Sequence, residues 1–290
     1  MGLFSPNYAK PGPGVDKNAP EKHRIWQFFE IFWNQLSKLC KANLLYLVAA
    51  IPLMLGLYLC FKIDVTAPSV VVLRTPGEID FLGLLLLVAS IFVTFPATLG
   101  FTYILRNIQR REHAWIWHDF IKHTKLNYKK GVINGAVTLV LYYMLLNAYA
   151  LYRGGIFNIP LLDTYLSILM LIIMVIFTWM QFYVNTMIVT FDMKLKDIYR
   201  NSFLFAIAKI PLNLFISVIC IILAVGLWLI PLITIFGTLL IAFSLFGFIV
   251  VFSVYPTIDK HMISKASPKE TDATEAVFND NRILKRDDNI

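Results

Sequence analysis

The chain has 290 residues, 58% of them hydrophobic and only 15% charged, with a formal net charge of +8 at pH 7. A mean hydropathy of +0.67 excludes an ordinary soluble domain. The basic excess lies in segments flanking apolar runs, so attraction to anionic lipid headgroups accounts for it and nucleic acid is excluded as a partner. Cys40, Cys60 and Cys220 show neither C-x-x-C nor metal-ligand spacing, which argues against a disulfide framework.

Residues 1–22 are rich in Pro and Gly and are expected to form a flexible tail. They lack the apolar core of a signal peptide, and Pro6 stands where a myristoylation signal needs Ser or Thr, so lipidation is not expected. From Arg24 to Lys41 the apolar residues Ile25, Phe28, Phe29, Phe32, Leu36 and Leu39 recur at helical spacing, opposite Gln27, Glu30, Asn34, Lys38 and Lys41. This predicts an amphipathic helix bordered by Trp26 and Trp33, lying in the headgroup region or packed on the protein's own helices.

Six spans are predicted within a membrane domain of residues 23–263, at about 44–61, 81–105, 132–152, 165–190, 212–230 and 232–255. About 20 helical residues cross a 30 Å hydrocarbon core. The first is expected to be interrupted at Pro52. The last two are nearly continuous, which predicts a tight hairpin at Pro231; one long broken helix is the competing reading. Residues 264–290 mix charges of both signs with Ser, Thr and Asn and are expected to form a disordered cytoplasmic tail. The fold class is therefore all-α: a polytopic bundle with an N-terminal interfacial helix and two amphipathic connector helices.

Lys and Arg crowd the segments before residue 44, between 106 and 131, and between 191 and 211, whereas the intervening loops hold only Lys62, Arg74 and Arg153. Basic segments stay on the cytoplasmic side, so both termini are expected there. The six predicted spans contain no Asp, Glu, Lys, Arg or His. Because intramembrane charges mark proton and ion pathways, this disfavours a proton-coupled carrier and a metal pump. Neutral polar residues remain: Asn134 and Asn147 in the third span, Gln181, Asn185 and Thr186 in the fourth, and Asn213 in the fifth. Gln181 and Asn185 are candidate contacts for a neutral solute; helix-to-helix hydrogen bonding is the plainer role for all of them. Gly131 and Gly135 form a G-x-x-x-G that permits close helix approach.

No signature of a hydrolase, metalloprotease or nucleotide-binding loop occurs, so no enzyme activity, cofactor or metal is expected. His113, His118 and His123 accompany Trp115 and Trp117 in the basic connector and read as solvated or headgroup-facing. In that connector Trp117, Phe120, Ile121 and Tyr128 follow helical spacing while Lys122, Lys125 and Lys129 point elsewhere. The segment around Leu195, Ile198, Tyr199 and Phe203 repeats the plan, with Lys194, Lys196, Arg200 and Lys209 basic. Asp119 and Asp197 are each followed three residues later by a cation, Lys122 or Arg200. These features suggest a span–helix–span repeat over 81–152 and 165–230, although any basic connector of this length would look similar. Trp117, Asp119, Phe120, Lys122, Lys125, Asn127, Tyr128, Asp197 and Arg200 are the candidate docking residues for lipid or a partner.

Several stretches, taken in order, resemble YesL-like bacterial membrane proteins. They are M-G-L-F-S at the start, N-L-L-Y-L-V-A-A-I-P at 43–52, R-x5-W-x-D-F-I-K-x2-K-L-N-Y-K-K-G ending at Gly131, V-T-F-D-M-K-L-K-D-I-Y-R-N-S-F at 189–203, and Y-P-T-I-D-K-H-M-I at 255–263. The resemblance implies an integral membrane protein of unknown function, often encoded near carbohydrate uptake systems in Gram-positive bacteria. It supplies no catalytic residues. It points to an accessory role beside ABC-type transporter subunits in the bacterial cell membrane. A permease-like subunit for a neutral solute such as a sugar is the alternative, and A-I-A-K-I-P-L at 206–212 faintly resembles the end of a permease coupling loop. The oligomeric state is not encoded in any recognisable pattern.

Orientation is directly testable. Cys40 is expected to react with an impermeant thiol reagent in inside-out vesicles and to stay unlabelled in intact cells; labelling from outside would reverse the topology.

Overall fold

A peptide group in hydrocarbon finds no water, so a long apolar run must satisfy its own backbone as a helix. The computed structural model has this architecture, and it describes residues 23–63, 71–73, 80–229 and 231–263. The two expected tails, 1–22 and 264–290, lie outside the described residues, as does Arg74. Helix α1 is Arg24–Asn34 and α2 is Leu36–Cys60. A minimal antiparallel pair follows, β1 (Phe61–Ile63) with β2 (Val71–Leu73), registering Lys62 opposite Val72. Then come α3 (Phe81–Gln109), α4 (Ile116–Leu126), α5 (Tyr128–Arg153), α6 (Pro160–Thr190), α7 (Leu195–Ala208), α8 (Ile210–Leu229), α9 (Pro231–Leu240) and α10 (Ala242–Ile258), which ends in a π-helical turn, Asp259–Ile263. Six of these helices are long and apolar enough to cross a bilayer.

The predicted amphipathic helix is shorter than expected. The chain turns at Gln35, and Lys38 and Lys41 belong to α2. Helix α1 packs one face on the protein's own helices and leaves another exposed. Phe28 packs 5.2 Å from Phe248 and 5.3 Å from Phe252 of α10, and Arg24 Nη2 donates to Phe252 O at 3.0 Å. Trp26 and Trp33, 70% and 66% exposed, turn outward with Ile25 and Phe29.

Helix α3 is the hub, packing against α2, α4, α5, α6 and α10. Pro52 does not interrupt α2, which runs on to Cys60. A proline removes an N–H and loosens the preceding turn; beside it, Thr94 of α3 donates its hydroxyl to Ala49 O at 2.7 Å. Gly131 and Gly135 bring α5 onto α3. A Cβ at Gly131 would lie 2.7 Å from Pro96 Cα, and one at Gly135 2.6 Å from Phe95 Cγ. The G-x-x-x-G thus serves packing within the chain.

The spans extend beyond the apolar runs, so their ends do carry charge. Arg106 lies inside α3 and Asp163 inside α6, both buried. The predicted spans themselves hold no charge; the helices run past their bounds, and the charges lie in those extensions. The end of the chain also differs. Helices α8 and α9 form the expected hairpin, but the expected sixth span is broken at Ile241 into α9 and α10. Asn43 of α2, fully buried and about 10 Å from its helix start, fills the break. Its Nδ2 donates to Thr238 O (3.0 Å) and Leu239 O (2.9 Å), and its Oδ1 accepts from Ser244 N (3.1 Å).

Asn43→Ala strips three backbone groups of their partner in a water-poor site. We expect a loss of about 2–4 kcal/mol, measurable as a lowered midpoint of unfolding in mild detergent. An unchanged midpoint would show that the break holds itself.

Candidate docking face and inter-helix cavity

Helices α1, α4, α7 and the π-helical turn share one end of the bundle. Helix α4 starts where Asp119 Oδ2 accepts from Trp115 N at 2.8 Å, a first-turn carboxylate that also complements the helix dipole. It ends at Asn127, whose Nδ2 donates to His123 O at 3.1 Å. Phe120 is buried against α3, while Trp117, Lys122, Lys125 and Tyr128 are exposed. His123 stacks on Tyr103 with ring centroids 3.3 Å apart, and burial lowers its pKa below the usual histidine range. His113 precedes α4 and meets Trp115 edge to face.

Helix α7 has Asp197 in its first turn and buries Ile198, Ser202 and Ala206. Lys196, Asp197, Arg200, Phe203 and Leu204 are exposed. Tyr199 points inward, its hydroxyl donating to Asn134 Oδ1 at 2.5 Å, and Asn134 Nδ2 donates on to Asn185 Oδ1 at 3.2 Å. Burial pushes the Tyr199 phenol up to about 12. Lys130 pairs with Asp192 at 3.2 Å, tying the start of α5 to the turn before α7.

The candidate docking residues therefore divide. Trp117, Lys122, Lys125, Tyr128, Asp197 and Arg200 face outward, and among the described residues Lys122, Lys125 and Arg200 form no ion pair. Phe120 is core, Asp119 caps α4, and Asn127 forms the α4–α5 joint; these three are placed for structure. Helical periodicity finds the apolar face, but it cannot say which polar residues are spent on backbone.

Sequence reasoning missed Arg106. Its Nη1 donates to Val189 O at 2.6 Å and approaches Thr190 Oγ1 at 3.4 Å, Nη2 donates to Asn107 Oδ1 at 3.2 Å, and the guanidinium lies 4.6 Å from the Tyr103 ring centroid. It clamps the free carbonyl end of α6 to α3, a role favoured at helix C-termini. In sequence it is simply the first cation after an apolar run.

Gln181 and Asn185 both line one open cavity of about 590 Å³ walled by α2, α3, α6, α8 and α10. Two bonds bridge α6 to α8 beside it: Trp179 Nε1 donates to Ser217 Oγ (2.8 Å), and Tyr183 OH donates to Asn213 Oδ1 (2.8 Å). Asn213 is buried, with Nδ2 donating to Ala206 O at 3.0 Å. Asn147, by contrast, donates to Tyr143 O of its own helix, away from the cavity.

The fold is thus an all-α polytopic bundle of membrane-span-like helices with two short connectors at one end. Residues 39–149 match the family model described as a protein of unknown function, DUF624. The matched stretch runs from α2 into α5 and contains the patterns at 43–52 and 111–131. No curated protein matches the chain, and no solved structure does.

Tyr199→Phe removes the hydroxyl that anchors α7 to Asn134. The expected cost is about 1–2 kcal/mol, with faster amide hydrogen exchange confined to α7 and the start of α5. Exchange unchanged in α7 would show that Ile198 and Ala206 hold it unaided.

Proposed function

We propose that the protein is a non-enzymatic integral membrane protein accessory to a carbohydrate uptake system in the bacterial cell membrane, docking through α4 and α7 onto ABC-type transporter subunits. One observation carries the reading: each connector buries one face on its own bundle, Phe120 on α4 and Ile198, Ser202 and Ala206 on α7, and turns Lys122, Lys125 and Arg200 outward without an ion pair among the described residues. A charged face already rigid on its scaffold suits recognition of an acidic partner surface. The positive-inside asymmetry puts that face, and both termini, in the cytoplasm, where such subunits would meet it. The YesL-like resemblance supports the link to carbohydrate uptake, and the match over 39–149 supports a membrane family of unknown function. No catalytic residue or cofactor enters this role.

The alternative, a permease-like subunit for a neutral solute such as a sugar, draws on Gln181 and Asn185 sharing one cavity. The lining favours it less, because a sugar's many hydroxyls need more free polar partners than those walls hold.

The test is Lys122→Glu, Lys125→Glu and Arg200→Glu together in the full chain, purified in mild detergent from the native host. Like charges across a complementary interface cost several kcal/mol, so recovery of transporter subunits should fall at least about tenfold while the yield of the protein itself is unchanged. Equal recovery of those subunits would overturn the docking role.

A further inference from the structure

Helix α5 runs from beside α4 to Arg153, and α6 returns from Pro160 toward α7, so their joint lies at the end of the bundle away from both connectors. An open pocket of about 430 Å³ sits at that joint, lined by Arg153, Asn158, Asp163, Thr164 and Ser167 among others. Its two charges are opposite and do not meet. Asp163 is only 5% exposed, and among the described residues neither it nor Arg153 forms an ion pair. The carboxylate is partly spent on its own loop: Oδ1 accepts from Phe157 N and Oδ2 from Ile159 N, each at a long 3.3 Å. An ionised carboxylate has about four acceptor positions, so further capacity remains. Open space adjoins it. Apart from its chain neighbours, a Cβ built on Gly155 would meet Asp163 Oδ2 at 3.8 Å and nothing else within 4 Å. Thr164 and Ser167 donate to Pro160 O (2.7 Å) and Thr164 O (2.8 Å), which leaves their own oxygens as acceptors. Arg153 and Asn158 line the pocket from exposed positions.

We propose that this pocket holds the headgroup of phosphatidylethanolamine from the leaflet opposite the connectors, with the ammonium donating to Asp163 Oδ2 and the phosphate paired with Arg153. A buried carboxylate without a cation is costly, and a primary ammonium brings it three donors. A guanidinium binds phosphate through parallel N–H bonds. The ligand must carry both charges, because a lone anion would face Asp163 and a lone cation Arg153. Position selects a lipid over a free amino acid. The pocket lies where a span ends, at headgroup depth, and the first two turns of α6 direct Leu161 and Tyr165, 70% and 68% exposed, to where acyl chains would run. A choline head fits less well, since its methylated nitrogen has no N–H for the carboxylate. The site stands apart from α4 and α7, so its occupancy and the docking role succeed or fail separately.

The test uses the full chain in liposomes with a phosphatidylethanolamine carrying a diazirine in one acyl chain. Phosphatidylcholine and phosphatidylglycerol with the same modified chain form parallel arms, and crosslinks are mapped by mass spectrometry. Phosphatidylethanolamine is expected to label residues 152–167 about tenfold more than either, the difference that one charge-assisted hydrogen bond makes. Arg153→Gln, at an exposed position, should cut that labelling about fivefold. Asp163→Asn should bring the ethanolamine and choline lipids level; if it also lowers the unfolding midpoint, Arg153→Gln and the lipid comparison decide. Equal labelling by phosphatidylcholine, stronger labelling by phosphatidylglycerol, labelling unaffected by Arg153→Gln, or displacement of the lipid by soluble glycine would each overturn the assignment.

Discussion

The absence of water around an apolar helix sets the terms for every irregular point in this fold, because each peptide group that leaves the helical ladder must find a protein partner. At Ile241 the partner is Asn43, reaching from α2 to two carbonyls and one N–H. At the end of α6 it is Arg106 of α3, which takes Val189 O. At the α7–α8 joint it is Asn213, which donates to Ala206 O. Each is one polar side chain matched to one backbone defect. The buried polar residues therefore mark where the helices bend or stop, and only secondarily where a ligand could bind.

The two span–connector–span units, α3–α4–α5 and α6–α7–α8, follow the same order but close differently. Gly131 lets α5 approach the backbone of α3 at Pro96, and Gly135 lies against the Phe95 side chain. Helix α8 meets α6 through the long side chains of Trp179 and Tyr183, and Gly226 on α8 would offer a Cβ nothing but open space. Small residues draw one pair of helices together, and large hydrogen-bonded aromatics prop the other apart. The cavity lies on the α6–α8 side, with Trp179 and Ser217 in its wall. The contrast is one of side-chain size at a few positions, set within one shared topology.

Much of this was legible in the sequence. Apolar run length located the spans, and the spacing of Phe28 and Phe32 or of Leu195, Ile198 and Tyr199 located the inward faces of α1 and α7, while Ile25, Phe29 and Phe203 of the same patterns turn outward. What escaped was contact between distant segments. Nothing near Asn43 indicates a break some 200 positions later, and Asp119 looks the same whether it meets a partner protein or caps its own helix. Charge counting placed Arg106 in a solvated loop because periodicity ends where apolar residues end. The helix itself continues to Gln109, since nothing there breaks its hydrogen bonding. The candidate cavity was half legible: Gln181 and Asn185 stood out as polar residues in an apolar run, but their convergence with Tyr46, Ser217 and Phe243 depends on the tertiary fold.

Two hydrogen bonds join the connector to the cavity wall, from Tyr199 on α7 through Asn134 on α5 to Asn185 on α6. Asn134 uses its carbonyl oxygen toward the connector and its amide nitrogen toward the cavity. A movement of Asn185 would therefore disturb the anchor that sets the position of α7. Proximity alone is not coupling; coupling requires two arrangements of this chain with different affinities at each end. Where such arrangements exist, linkage makes the effect reciprocal, so a partner that fixed α7 would change the affinity of the cavity for a solute by the same factor that the solute changed the partner's. The middle of the relay, Asn134, is buried, while Tyr199 and Asn185 are half-buried, so water has least access where the two bonds meet.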